Sequence, residues 1–89
     1  VTRYRRNPAV RETTLEAETF LVDAAGREIY YLDPVSSGLW RLLAEPRSLA
    51  DCLEVFADAF PEQPREEIAR DLGRALAELE ARRLVLRAP

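Results

Sequence analysis

Glu28-Ile29-Tyr30-Tyr31-Leu32-Asp33-Pro34-Val35-Ser36-Ser37-Gly38-Leu39-Trp40 is the stretch on which the fold turns. Ile29 to Leu32 is a β-branched and aromatic run and reads as a strand. Asp33 then offers a side-chain acceptor to the free amides of a first helical turn. Pro34, next in line, has no N–H to leave unpaired and a φ already suited to a helix. Beyond it Val35, Leu39, Leu42 and Leu43 recur at helical spacing, with Trp40 at one edge of the stripe. The chain thus passes from strand to helix with almost no loop. Such a joint fixes the angle between a sheet and a helical layer, and a functional site is expected beside it.

Upstream, Thr19–Asp23 reads as a strand and Ala9–Thr14 as a weaker first one, with Leu15–Glu18 a turn or a continuation. Residues 24–27 form a hairpin loop in which Gly26 can take positive φ. A four-residue loop sets Val22 opposite Ile29, Leu21 opposite Tyr30 and Phe20 opposite Tyr31. Successive pairs point to opposite faces, so both faces of this hairpin are apolar. One face packs on helices. The other calls for a cover: the first strand's side chains, a twin subunit or another protein.

Downstream, Glu45-Pro46-Arg47 breaks the chain and Ser48 caps a second helix running to Phe60, with Asp51 in its first turn. Its stripe is Leu49, Leu53, Phe56 and Phe60, with Cys52 alongside. Pro61–Pro64 stops it. A third helix, about 65–83, carries Ile68, Leu72, Ala75, Leu76 and Leu79 on one face. Glu66 and Glu67 lie at its positive end and Arg82 and Arg83 at its negative end, as the macrodipole prefers. Gly73 within it suggests close approach by another backbone. Leu84–Leu86 closes the chain, and Trp40 is expected to pack, out of water, between the first helix and the others. Three strands followed by three helices give an α+β fold: a three-stranded antiparallel sheet in a winged helix-turn-helix-like layout.

Eighty-nine residues, 47% hydrophobic and 33% charged, make one globular domain with one modest core. No apolar run is long enough to span a bilayer and no signal-peptide pattern opens the chain. The single cysteine fits a reducing cytoplasm. Residues 1–11 carry Arg3, Arg5, Arg6 and Arg11 and no acid, on a chain whose net charge is −3. Residues 1–8 therefore read as a flexible basic arm, dispensable for folding, ahead of a single domain at 9–87.

The motif census leaves little room for catalysis. There is no His, and no phosphate loop or metal-ligand cluster; Cys52 on an apolar stripe is a structural thiol. No cofactor and no metal are expected. A winged-helix DNA-binding regulator is the alternative reading, but the third helix interleaves its Arg with as many acids on a chain of net charge −3, which fits a solvated face of ion pairs better than a phosphate reader. A structural homodimer formed through the two-sided hairpin is the other alternative.

Gly26, Tyr30 and Leu32, then Trp40, then Asp71, Leu72, Leu76 and Leu79 form a pattern that resembles the pyrroloquinoline quinone biosynthesis protein D (PqqD) family, peptide-recognition elements of ribosomal-peptide modification pathways. Asp33 stands where that family has Asn, and Arg83 where it has Gly. The resemblance covers about residues 9–85. It implies a module that binds the leader of a precursor peptide and presents it to a modifying enzyme, such as a radical S-adenosylmethionine protein or a leader peptidase, without nucleic acid or membrane.

Peptide binding also has its own basis in the residues. The third strand is an edge with no Pro or Lys to block pairing, so an extended peptide can add to it. The expected site is therefore Glu28, Ile29, Tyr30, Tyr31 and Leu32 on the strand, faced by Arg70, Asp71, Arg74 and Glu78 on the third helix. Tyr30, Leu32, Leu72, Leu76 and Leu79 are expected in the core. Ile29 and Tyr31 are divided between core and contact, and Asp71 between site residue and structural anchor.

Overall fold

The computed structural model describes all 89 residues. In chain order the elements are β1 (Arg3–Arg6), β2 (Arg11–Leu15), β3 (Glu18–Val22), β4 (Ile29–Leu32), α1 (Pro34–Leu42), β5 (Arg47–Ser48), α2 (Leu49–Ala59), α3 (Arg65–Ala81) and β6 (Val85–Ala88). The fold is α+β. The expected meander β2-β3-β4 is present, and a second sheet, β5-β1-β6, joins the two ends of the chain.

The strand-to-helix joint forms as its residues dictate. Asp33 Oδ1 accepts from the Ser36 N–H at 2.8 Å, Pro34 opens α1, and Ser37 Oγ donates back to the Leu32 carbonyl at 3.1 Å. The hairpin before it pairs Val22 with Ile29, Leu21 with Tyr30 and Phe20 with Tyr31. Its loop is held by Asp23, whose Oδ1 accepts from the Arg27 N–H at 2.8 Å, and Gly26 takes φ +71°. Ser48 and Asp51 cap α2 reciprocally, each side chain accepting from the other's amide at 3.1 Å. The amide bond from Ser48 holds the Asp51 carboxyl below its ordinary range.

One core lies between the β2-β3-β4 sheet and the helices. Leu21, Leu39, Trp40, Leu43, Cys52, Leu72, Leu84 and Val85 are its most deeply buried members. Trp40 is 2% exposed, but its polar edge turns toward the strands. Its indole N–H donates to Glu12 Oε1 at 2.8 Å, and the Arg6 guanidinium lies 4.7 Å from the ring centroid. Arg6 Nε also donates to the Trp40 carbonyl at 2.8 Å.

That corrects the flexible arm at residues 1–8. β1 is the central strand of its sheet, pairing β5 through Arg3 and Tyr4 and β6 along its whole length. By its charge alone the Arg run reads as a solvated tail. In the fold Arg3 stays exposed while Arg5 and Arg6 are half-buried; Arg6 reaches Trp40, and Asn7 Nδ2 donates to the Arg83 carbonyl at 2.7 Å.

Of three further local expectations, one is resolved and two change. The chain between β2 and β3 is a two-residue turn, Glu16 (φ 52°) and Ala17 (φ 68°), flanked by the pair Leu15–Glu18. Two positive φ values are the geometry of a type I′ hairpin, without its usual Asn or Gly. Gly73 has open space where a Cβ would stand, whereas at Gly38 a Cβ would sit 2.8 Å from the Phe56 ring. It is Gly38 that lets α1 and α2 close together. On α2, Cys52 is buried while Phe60 is 50% exposed, because the helix ends at Ala59 and Phe60 leaves its path. Burial pushes the Cys52 thiol up.

The end of α3 does without its usual glycine. Arg83 takes φ 59°; its N–H reaches the Glu80 carbonyl and the Leu84 N–H the Leu79 carbonyl, both at 3.0 Å. This is a Schellman cap built on Arg.

Candidate functional site

β4 ends the sheet, and the hairpin bonds decide which way its backbone faces. The Asp23 N–H donates to the Glu28 carbonyl at 3.1 Å, so those two residues form a hydrogen-bonded pair. Pairs alternate along an antiparallel ladder, which makes Leu21–Tyr30 and Thr19–Leu32 the next bonded ones. Ile29 and Tyr31 therefore turn their N–H and C=O groups away from β3, to the open edge. Their side chains lie on the outer sheet face, 70% and 54% exposed. Tyr30 and Leu32 point inward, half-buried and buried. The core expectation thus holds for Tyr30 and Leu32, and Ile29 and Tyr31 are surface.

The outer face stays bare. β2 lies beside β3 instead of across it, so Leu15, Ile29 and Tyr31 remain exposed, next to half-buried Phe20 and Val22. Phe20 and Tyr31 rest on each other with ring centroids 5.6 Å apart.

Opposite the open edge runs α3. A groove of about 320 Å³ separates them, walled by Ile29–Leu32, Asp33 and Ser36 on one side and by Ala75, Glu78, Leu79 and Arg82 on the other. Arg82 closes its hairpin end, its guanidinium 4.8 Å from the Tyr30 ring centroid and 3.1 Å from Glu78 Oε1. The Tyr30 hydroxyl donates to Glu28 Oε2 at 2.6 Å, and that bond to a carboxylate holds the phenol above its ordinary pKa.

Farther along α3 the groove narrows to a shallow waist between Asp33, Ser36, Asp71, Arg74, Ala75 and Glu78. Three carboxylates surround Arg74, which enters no ion pair.

Of the residues expected at the site, Ile29, Tyr30, Tyr31, Leu32 and Glu78 line the groove, and Asp71, Arg74 and again Glu78 line the waist. Glu28 sits at the hairpin end, orienting Tyr30 without lining either hollow. Arg70 is on an exposed flank of α3 outside both. Sequence reasoning missed Arg82, which it spent on the helix dipole. The spacing Arg74–Glu78–Arg82 along one helical face was the signal that could have found it. Asp33, expected as the cap of α1, also lines the groove, and so does Ser36, to which the sequence gives no role.

Two solved structures share this architecture. "TbiB1 in Complex with the TbiA(beta) Leader Peptide" matches with a TM-score of 0.79 and 23% identity over 91% of this chain and 93% of that one. "Lasso peptide synthetase B1 complexed with the leader peptide" matches with a TM-score of 0.75 and 23% identity over 93% and 96%. At that identity the likeness is one of fold. No curated protein matches the sequence. The family model for coenzyme PQQ synthesis protein D (PqqD) matches residues 18–85, from the start of β3 to the start of β6. That span takes in β4, the α1 joint and all of α3, well over half of the sequence, and the chain belongs to the PqqD family.

Proposed function

We propose that this chain is a peptide-binding module that takes the leader segment of a ribosomally made precursor as an added strand on β4 and holds it against α3 for a modifying enzyme. The observation that carries the reading is the outward set of N–H and C=O groups at Ile29 and Tyr31, directly across a groove from α3. An antiparallel peptide satisfies those groups, and its alternate side chains, opposite Tyr30 and Leu32, enter the groove. Backbone pairing tolerates many sequences; selectivity then falls to Arg82, Arg74, Asp71 and Glu78. The family and the two leader-bound structures of the same fold support this reading.

The module supplies binding and no chemistry of its own. Its lone thiol is buried in the core with a raised pKa, away from the groove. The enzyme served is a radical S-adenosylmethionine protein or a leader peptidase working on the presented peptide, in the cytoplasm. An NMR titration with the leader of the precursor encoded beside this gene tests the site. Amide shifts are expected at residues 28–33 and 71–82. Shifts confined to β1 or α2, with those residues still, would remove the β4–α3 clamp.

A further inference from the structure

Three connections meet at one end of the domain and carry its free cations. Asn7 Nδ2 donates to the Arg83 carbonyl and the Asn7 N–H to the Leu84 carbonyl, which ties the β1–β2 connection to the end of α3. Arg11 opens β2 beside them, opposite Val22 and, one strand farther, Ile29, and the 23–28 loop closes the same edge. Arg11, Arg27 and Arg83 are exposed and enter no ion pair. The acids around them are engaged. Glu12 accepts from the Trp40 indole and faces Arg6, Asp23 accepts from the Arg27 and Glu28 amides, and Glu28 accepts from the Tyr30 hydroxyl. The other end of the sheet and of α3 bears Glu16, Glu18, Glu66 and Glu67, so charge is graded along the domain.

Arg83 holds its place at a cost. At φ 59° it fills the position of the Schellman cap that glycine takes without strain, and its guanidinium has no partner inside the domain. Strain that no internal contact repays is evidence for a partner outside.

We infer that this end is the docking surface for the modifying enzyme, and that Arg11, Arg27 and Arg83 meet an acidic patch on it. The inference rests on the strand-addition reading above, which sets the direction. A peptide antiparallel to β4 has its N-terminal side at Asp33 and leaves past Glu28, so the segment to be modified emerges at the cationic end. The width of the surface selects a folded partner over the peptide itself. β2 lies three strand spacings from an added strand, about 14 Å at roughly 4.8 Å each, so an extended chain passing Arg27 does not also touch Arg11. An acidic enzyme surface spans both, and the negative far end of the domain turns it toward the emerging chain.

The test uses the whole 89-residue chain with the leader of the precursor encoded beside this gene and the purified modifying enzyme encoded there. Arg83→Gly relieves the strain and removes the charge, so it should raise the melting temperature by about 4–8 °C and yet weaken association with the enzyme. Combined with Arg11→Gln it should weaken that association about tenfold at low salt, with the gap closing as salt rises, while leader affinity stays within about twofold of the parent. Association unmoved by the two changes, or absent from the parent, would overturn the docking surface and leave strand addition standing. Leader affinity that falls in step with association would assign the cations to the peptide and equally overturn the inference. A leader indifferent to Ile29→Pro would instead overturn strand addition and, with it, the exit past Glu28.

Discussion

Ile29→Pro separates backbone recognition from every other contribution. The Ile29 amide faces away from β3, so proline there removes no bond of the domain's own ladder. The side chain is 70% exposed; its loss forfeits mainly a cross-strand contact with Val22, about 0.2–1 kcal/mol, offset in part by the stiffer unfolded chain. The domain should therefore melt within a few degrees of the parent. Binding should fare differently. One donor to the peptide goes, worth about 0.5–1.5 kcal/mol, and a peptide carbonyl is left desolvated at a cost of about 1–3 kcal/mol. A net loss of about 1–3 kcal/mol weakens the complex by roughly 5- to 150-fold. Calorimetric titration with the precursor leader measures it, with Ile29→Ala as the control that keeps the amide and loses the side chain. Tyr30→Pro is the converse, since it strikes the bonded pair with Leu21 and should unfold the hairpin. Equal weakening by Ile29→Pro and Ile29→Ala would refute strand addition, because the effect would then belong to the side chain.

Deleting residues 1–7 should destabilise the domain by about 3 kcal/mol or more, since it strips a central strand and uncovers Trp40, and so lower the melting temperature by over roughly 10 °C. A truncated protein that melts like the parent would show β1 to be ornamental. Replacing Glu16-Ala17 by Asn-Gly should stabilise by about 1–2 kcal/mol, because both residues sit at positive φ; a lowered melting temperature would sink the type I′ assignment. Asp51 has a depressed folded-state pKa, so its contribution is complete above the unfolded value of about 3.9 and is lost as pH falls through the folded one. The melting-temperature gap between parent and Asp51→Ala should therefore be full at neutral pH and shrink below about pH 4, and a gap independent of pH would refute it.

What the sequence shows and what it hides divide along a physical line. The register of β3 against β4 was legible because loop length and alternation fix it locally. The caps at Asp33 and Ser48 were legible for the same reason: donor and acceptor lie three residues apart. The sheet β5-β1-β6 was not. Its central strand pairs Arg6 with Val85 at the far end of the chain, and nothing in Arg3–Arg6 alternates in hydrophobicity. The turn at Glu16-Ala17 was hidden because its residues lack the signature its dihedrals demand. At the site, the strand was readable from its composition, while Arg82 was not, since one cation at a helix C-terminus serves the dipole and the groove alike.

The open edge of β4 is short, and that limits what backbone pairing can achieve. Within β4 only Ile29 and Tyr31 present outward groups; the Leu32 carbonyl lies on the β3 side and accepts from Ser37 Oγ, and beyond it the Asp33 carbonyl is taken by the Ser37 N–H. Two N–H and two C=O groups at about 0.5–1.5 kcal/mol each give roughly 2–6 kcal/mol. Association alone costs about 4–15 kcal/mol, so the ladder by itself holds no peptide at micromolar concentration, for which about 8 kcal/mol net is needed. The remainder has to come from side chains entering the trough between β4, α1 and α3. The strand-to-helix joint matters for this reason: Asp33 ends the edge, caps α1 and lines both groove and waist. On the proposed strand addition, a ladder that stops at Tyr31 would pass the peptide from backbone recognition to side-chain recognition, where one leader can be told from another.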